Sequence, residues 1–260
     1  MREPQAIDME IQSYLHVLRC PAIKDQYEPE ANRAATEQTS YQGYLHRLLE
    51  LECNQRTSRR KEKYLQESKI PLDKTMDTFD LTRLAQQQKQ QIKQLLTGRF
   101  LAYHENVMVF GSPGSGKSHL LCGIGQSLID QGHRVYFSRC SLLVQELLQA
   151  KASLRLASMI KRLSAYEAII IDDIGYVSQS REEMEVLFMF IAERYERGSI
   201  MLTSNLPFSQ WERIFKDPMV AAAAIDRLVH HSVILEMNVA SYRMDKAKES
   251  QIAESNGGDC

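Results

Sequence analysis

Eight consecutive residues carry the plainest chemistry in this chain. Gly111-Ser112-Pro113-Gly114-Ser115-Gly116-Lys117-Ser118 has the spacing G-x-x-x-x-G-K-[ST]. Glycines let a backbone wrap closely around phosphate oxygens with its N–H groups turned inward. A helix starting after them would present its positive end to the same anion. Lys117 is then placed to reach the β- and γ-phosphates, and the Ser118 hydroxyl to ligate magnesium. Residue usage makes a chance match in a chain of this length an event on the order of one per cent. The expected ligand is ATP with Mg2+, and His119, directly behind the loop, joins the expected ATP contacts.

Three further elements follow in order. Ala168-Ile169-Ile170-Ile171-Asp172-Asp173 is an apolar run ending in acid. Asp172 would hold the metal through water, and Asp173 stands where an acid would polarise an attacking water. Ser199-Ile200-Met201-Leu202-Thr203-Ser204-Asn205 is an apolar run with a polar end, which places Asn205 to orient water with help from Thr203 or Ser204. Ala221–Ser232 holds Arg227, which could pair with Asp226 on the surface or stabilise transition-state charge in a neighbouring subunit. The residues alone favour the ion pair. His230 and His231 are adjacent and would point in different directions on a helix, which predicts no metal pair.

These groups need a scaffold that brings strand ends together. From residue 107 onward short apolar runs alternate with amphipathic helical segments. The candidate strands are Val107–Phe110, Arg134–Ser138, Ala168–Ile171, Ser199–Thr203 and Val233–Met237. The run Ile169–Ile171 is continuously apolar, as in a strand covered on both faces. Such alternation predicts a parallel, three-layer α/β sheet. Residues 1–66 carry helical patterning only. Ile7, Ile11, Tyr14, Leu15 and Leu18 share one face, Cys20-Pro21 ends that helix, and a second helix starts after Ser40 with Tyr41, Tyr44, Leu45, Leu48 and Leu49 on its apolar side. Residues 67–82 read as a connector. A glutamine-rich helix follows, with Leu84, Ile92, Leu95 and Leu96 inward and the glutamines solvated. The expected division is a helical domain over 1–66 and a nucleotide-binding domain over 67–260.

Bulk composition constrains the rest. The chain has 260 residues with a formal net charge of −1, so nucleic-acid binding would depend on local patches rather than on global charge. Two basic stretches qualify: Arg56, Arg59, Arg60, Lys61 and Lys63, and Lys151, Arg155, Lys161 and Arg162. Phosphate contacts from them would give salt-sensitive, sequence-tolerant binding to double-stranded DNA. Five widely spaced cysteines, with no CxxC pair, predict neither a disulfide framework nor a zinc site. No run approaches the roughly 20 apolar residues of a membrane span, and the N-terminus lacks the apolar core of a signal peptide, so a cytoplasmic protein without membrane contact is expected.

The order of these elements resembles the AAA+ ATPases. More narrowly, GSPGSGKSHL at Gly111–Leu120, IIIDDIGY at Ile169–Tyr176, Arg194–Glu196, LTSNLPFSQW at Leu202–Trp211, IDRLVHHS at Ile225–Ser232 and SYR at Ser241–Arg243 are similar to the IstB/DnaC group, and the C-terminal strings lie nearer to IstB transposition helpers than to DnaC loaders. The tyrosine–leucine helix running into a basic stretch at Tyr41–Lys63 fits the same group. The resemblance implies a five-stranded parallel sheet of order 5-1-4-3-2 and a small helical N-terminal domain. It implies an ATPase that binds DNA, assembles with ATP into a homo-oligomer and helps a cognate transposase engage its target. It makes Arg227 an arginine finger, Arg243 a sensor-2 arginine, and puts Phe79 near the nucleotide base. In AAA+ proteins the residue after the metal-binding aspartate is most often glutamate. Asp173 is one methylene shorter, which predicts slow hydrolysis. A helicase loader and a slow-turnover DNA clamp are the competing readings.

Overall fold

Strands form where the apolar runs are continuous. In the computed structural model, which describes residues 4–175, 180–215 and 217–237, these are β1 (Asn106–Gly111), β2 (Val135–Arg139), β3 (Ala168–Asp172), β4 (Ser199–Ser204) and β5 (Ser232–Met237). All pair in parallel, in the order β2-β3-β4-β1-β5. This is the predicted order read from the other edge. Central strands are buried along their length because both faces are covered.

Side chains alternate between those faces. Met108, Ile169, Ile171 and Leu202 enter one core, shared with α7 (Cys140–Ala152), α8 (Leu156–Leu163), α9 (Arg181–Arg194), α10 (Glu212–Phe215) and α11 (Pro218–Val229). Val107, Val109, Ile170 and Met201 enter the other, shared with α4 (Gln86–Leu96), α5 (Arg99–Ala102) and α6 (Lys117–Asp130). Leu84, Ile92 and Leu95 are buried there, as the glutamine-rich pattern predicts. Gln88 departs from the expected solvated face. Its Oε1 accepts from the Ala85 N–H at 2.9 Å, and its Nε2 donates to the Glu236 carbonyl.

At the N-terminal ends of the strands, polar side chains hold the sheet together. The Arg194 guanidinium, 2% exposed, donates to the carbonyls of Tyr166 (2.7 Å), Glu167 (3.1 Å), Ser199 (3.0 Å) and Leu163 (3.4 Å). Burial pushes its pKa down to about 10, so it stays protonated at neutral pH. Asn106 accepts from the Ile200 N–H at 2.8 Å and donates to the Leu228 carbonyl at 3.0 Å, tying β1 to β4 and to α11.

The turn between α7 and α8 is a Schellman cap. The Leu154 N–H donates to the Lys151 carbonyl at 3.1 Å and the Arg155 N–H to the Ala150 carbonyl at 2.7 Å. Leu154 has φ 56°, a left-handed conformation that costs a side-chain-bearing residue about 1–2 kcal/mol.

Residue contacts divide the chain into Met1–Lys63 and Tyr64–Cys260. The first unit is helical, with α1 (Pro4–Val17), α2 (Pro21–Thr36) and the start of α3 (Tyr41–Ser68). Sequence patterning assigns no separate helix to residues 21–36. Pro29 lies inside α2 and masks it, while Pro21 takes the first helical turn, where proline is tolerated. The Glu52 carboxylate caps this helix by accepting from the Ala22 N–H at 2.9 Å. Burial pushes the Glu52 carboxyl up, but Arg56 and the backbone N–H groups of Ile23 and Ala22 outweigh that and hold it below the usual carboxylate range.

Candidate functional site

β1 ends at Gly111 and α6 starts at Lys117, so residues 112–116 cross the C-terminal edge of the sheet as a loop. Gly116 has φ 94°, and a Cβ there would lie 3.2 Å from the Phe79 ring. Only glycine allows both the turn and that approach. The Lys117 ammonium, buried beneath the loop, donates to the carbonyls of Gly111 at 2.8 Å and Ser112 at 2.9 Å.

The metal candidates meet directly. Ser118 Oγ donates to Asp172 Oδ1 at 2.6 Å. Thr203 Oγ1 donates to the same oxygen at 2.7 Å and accepts from the Asp173 N–H at 2.8 Å. One buried hydroxyl therefore holds the Asp172 carboxylate and the backbone of Asp173. Asp173 has φ 61°, a left-handed conformation in which a short polar side chain is the least costly alternative to glycine. Gly175 completes this corner, since a Cβ there would stand 2.4 Å from Asn205 Oδ1.

A cavity of about 430 Å³ opens above these groups. Pro113 through His119, Asp173, Asn205 and Phe79 line it. Gly111 and Ser112 form the start of the loop, and Asp172 lies beneath, 5% exposed, reached through Ser118. The residues fit ATP with magnesium. Ser118 and Asp172 are hard oxygen donors of the kind magnesium selects. Ser115 Oγ and Asn205 Oδ1 are buried at this site without a hydrogen-bond partner, and unsatisfied polar atoms of this kind suit a polar ligand.

His119 both lines the cavity and bonds to the connector. Its Nε2 lies 2.8 Å from the Thr75 carbonyl and 3.1 Å from Thr78 Oγ1, and its ring meets Phe79 edge-on at 5.4 Å. It lines the cavity while fastening the connector to α6. Asp80, Arg83, Leu84 and Met237 also line it, together with Asp73, Lys74 and Thr78, and no sequence motif marks the first four as site residues. Asp80 was the legible one: it precedes Thr82 as a cap, accepting from its N–H at 2.9 Å.

Arg227 stands apart from this cluster. Its Nη1 donates to the Ala223 carbonyl at 2.8 Å and its guanidinium lies 4.9 Å over the Phe188 ring. It is half-buried along its own helix, an arrangement that differs from the surface pair with Asp226 favoured by the residues alone. The two histidines also differ from expectation. His230 caps α11 and His231 sits in the turn after it, so helical direction no longer separates them, and their rings lie 4.2 Å apart. With Glu196 their ligand atoms fall within 4.8 Å of one another, all on exposed residues. Arg243 lies outside the described residues.

The basic candidates divide. Arg56 is engaged within the N-terminal unit, pairing with Glu52 at 2.7 Å and donating to the Arg19 carbonyl at 2.7 Å. Arg59, Arg60 and Lys63 are exposed and Lys61 is half-buried. Lys151 pairs with Glu185 at 2.9 Å, whereas Arg155, Lys161 and Arg162 are exposed around α8. Among the described residues no helix is long and apolar enough to cross a membrane.

The family described as IstB-like ATP binding protein matches residues 13–250. A putative insertion sequence ATP-binding protein of Sinorhizobium fredii is 42% identical over 91% of this chain and 80% of its own length. The Insertion sequence IS21 putative ATP-binding protein of Pseudomonas aeruginosa is 34% identical over 95% and 93%. In fold the chain is similar to the DnaC helicase loader, with a TM-score of 0.56 and 18% identity over 64% of this chain and 98% of that one. It is also similar to AMPPCP-bound DnaA from Aquifex aeolicus, with a TM-score of 0.57 and 16% identity over 72% and 56%.

Proposed function

The chain belongs to the IstB-like ATP-binding family of insertion sequences, and from that premise we propose that it is an ATP-hydrolysing transposition helper that assembles on duplex DNA and engages a transposase. The observation that carries the catalytic part is the hydrogen-bonded chain from Ser118 through Asp172 and Thr203 to Asp173 at the strand ends. In this reading the loop N–H groups and Lys117 bind the phosphates. Ser118 and Asp172 would hold magnesium, which would supply charge neutralisation for the phosphates. Asp173 accepts a proton from the attacking water, and Asn205 orients that water. Thr203 keeps the two acids in register. Phe79, Leu84 and Met237 offer the base an apolar wall.

Arg227 completes the site of a neighbouring subunit. Its distance from the chemistry of its own chain, folded over Phe188 rather than lining the cavity, supports a role in trans. ATP bound between two chains would favour the oligomer, and hydrolysis would loosen it. The test is mixing. Lys117→Ala and Arg227→Ala are each expected to be inactive alone, yet a one-to-one mixture should recover about a quarter of wild-type hydrolysis, because about a quarter of the interfaces then join two intact halves. A mixture as inactive as its components sinks the trans arrangement.

Two alternative readings remain open to test. Asp173 favours a DNA clamp with slow turnover, in which DNA leaves the rate near background and Asp173→Glu raises it. A helicase loader would capture a replicative helicase rather than the transposase in a pull-down.

A further inference from the structure

Leu154 breaks two local rules at once. It occupies the left-handed position of the α7 cap, φ 56°, where glycine or asparagine fits without strain. It is also 96% exposed, so it gains nothing from burial. The other described non-glycine residues with positive φ are Arg19, Gln38, Lys69, His104, Asp173 and Glu196, all polar or charged. A residue that contradicts local preference without a compensating contact in its own chain points to a use outside it. The two Schellman hydrogen bonds hold the turn and leave the side chain projecting from it.

Its surroundings indicate the partner. Arg155 follows it directly, and Lys161 and Arg162 stand in the last turn of α8, all exposed. An apolar tooth flanked by cations matches a phosphate-lined groove with stacked bases at its floor. We propose that Leu154 is a wedge that enters a base step of duplex DNA, while Arg155, Lys161 and Arg162 hold the flanking phosphates. Apolar side chains inserted in this way unstack the step and kink the helix. The wedge would favour easily deformed pyrimidine–purine steps without reading base edges, giving a target preference based on shape. The inference rests on the proposed reading that the chain binds duplex DNA.

The experiment uses the full chain with a non-hydrolysable ATP analogue and a duplex carrying 2-aminopurine at a central pyrimidine–purine step, end-labelled to report bending. Wild type should brighten the 2-aminopurine and shorten the end-to-end distance. Leu154→Gly and Leu154→Asn keep the left-handed turn, so they should melt no lower than wild type. They should bind about tenfold more weakly, leave the 2-aminopurine dark and the duplex straight, and keep the salt dependence unchanged. Arg155→Ala, Lys161→Ala and Arg162→Ala together should reduce the slope of log affinity against log salt by about 3 and still brighten the base at saturation. Leu154→Gly that brightens and bends DNA like wild type overturns the wedge. So does a variant whose DNA behaviour is intact but which no longer captures the transposase, because the tooth then belongs to a protein contact. Wild type that binds duplex without brightening defeats the wedge alone. Wild type that binds no duplex defeats the functional reading beneath it.

Discussion

The two ends of the sheet use buried polar groups in opposite ways. At the N-terminal ends, Arg194 and Asn106 direct their hydrogen bonds into backbone groups of β4, α11 and the residues just before β3, where they hold strands in place. At the C-terminal ends, Ser118, Asp172 and Thr203 bond to one another beneath a cavity, Asp173 adopts a left-handed backbone, and Ser115 and Asn205 keep buried oxygens without partners. One end bonds its polar side chains into the surrounding backbone, and the other groups them beneath a cavity that could take a ligand. Parallel α/β sheets place their ligands at the carboxyl ends of the strands, and here the polar bonding of the two ends differs accordingly.

That contrast makes separable predictions. The largest effect should come from Lys117→Ala, which is expected to cut hydrolysis about 10³-fold while lowering the melting temperature far less than Arg194→Met does, as read by phosphate release and a thermal melt. Arg194→Met should do the reverse. It removes the buried side-chain donor shared by four carbonyls and should cost about 3–5 kcal/mol of stability, measured as a lower denaturant midpoint. Were Arg194→Met as stable as wild type, the structural role of that end would be wrong.

Thr203→Val tests the boundary between the two roles, because it removes one hydroxyl and keeps the shape. Hydrolysis should fall about 10- to 100-fold with magnesium-free nucleotide binding intact, and Thr203→Ser should restore it. A Thr203→Val chain that unfolds as early as Arg194→Met would erase the contrast. The smallest effect lies outside the sheet. Glu52 has a depressed folded pKa, so its contribution is present above the unfolded carboxylate value of about 4.3 and is lost as pH falls through the lower folded value. Glu52→Gln should remove that acid-side loss, worth about 1 kcal/mol, in an acid titration followed by helicity.

Much of the scaffold was legible because the apolar runs are unbroken. Ile169–Ile171 could hardly be anything but a covered strand, and the loop glycines leave few alternatives. The strand order came from the family resemblance, since periodicity alone does not fix which strands are neighbours. What stayed hidden depends on backbone angles and burial. Leu154 reads as an ordinary helical leucine until its φ is known. Arg194 carries part of the family resemblance, but nothing in the sequence marks it as one of the most deeply buried large side chains. Thr203 was visible as a polar strand end, but its hold on both acids depends on β3 and β4 lying side by side. Helix α2 was obscured by Pro29, and His119 by the connector that folds back over it.

Asn106 has a mechanical consequence. Its side chain couples the carbonyl end of α11, beside Arg227, to the Ile200 amide near the start of β4, and β4 runs six residues to Ser204, next to Asn205. A fully hydrogen-bonded strand of that length is a rod of about 20 Å that resists stretching. If Arg227 serves a neighbouring subunit as proposed, a pull on it would load the strand that carries Thr203 and reach Asp172 without any loop having to move.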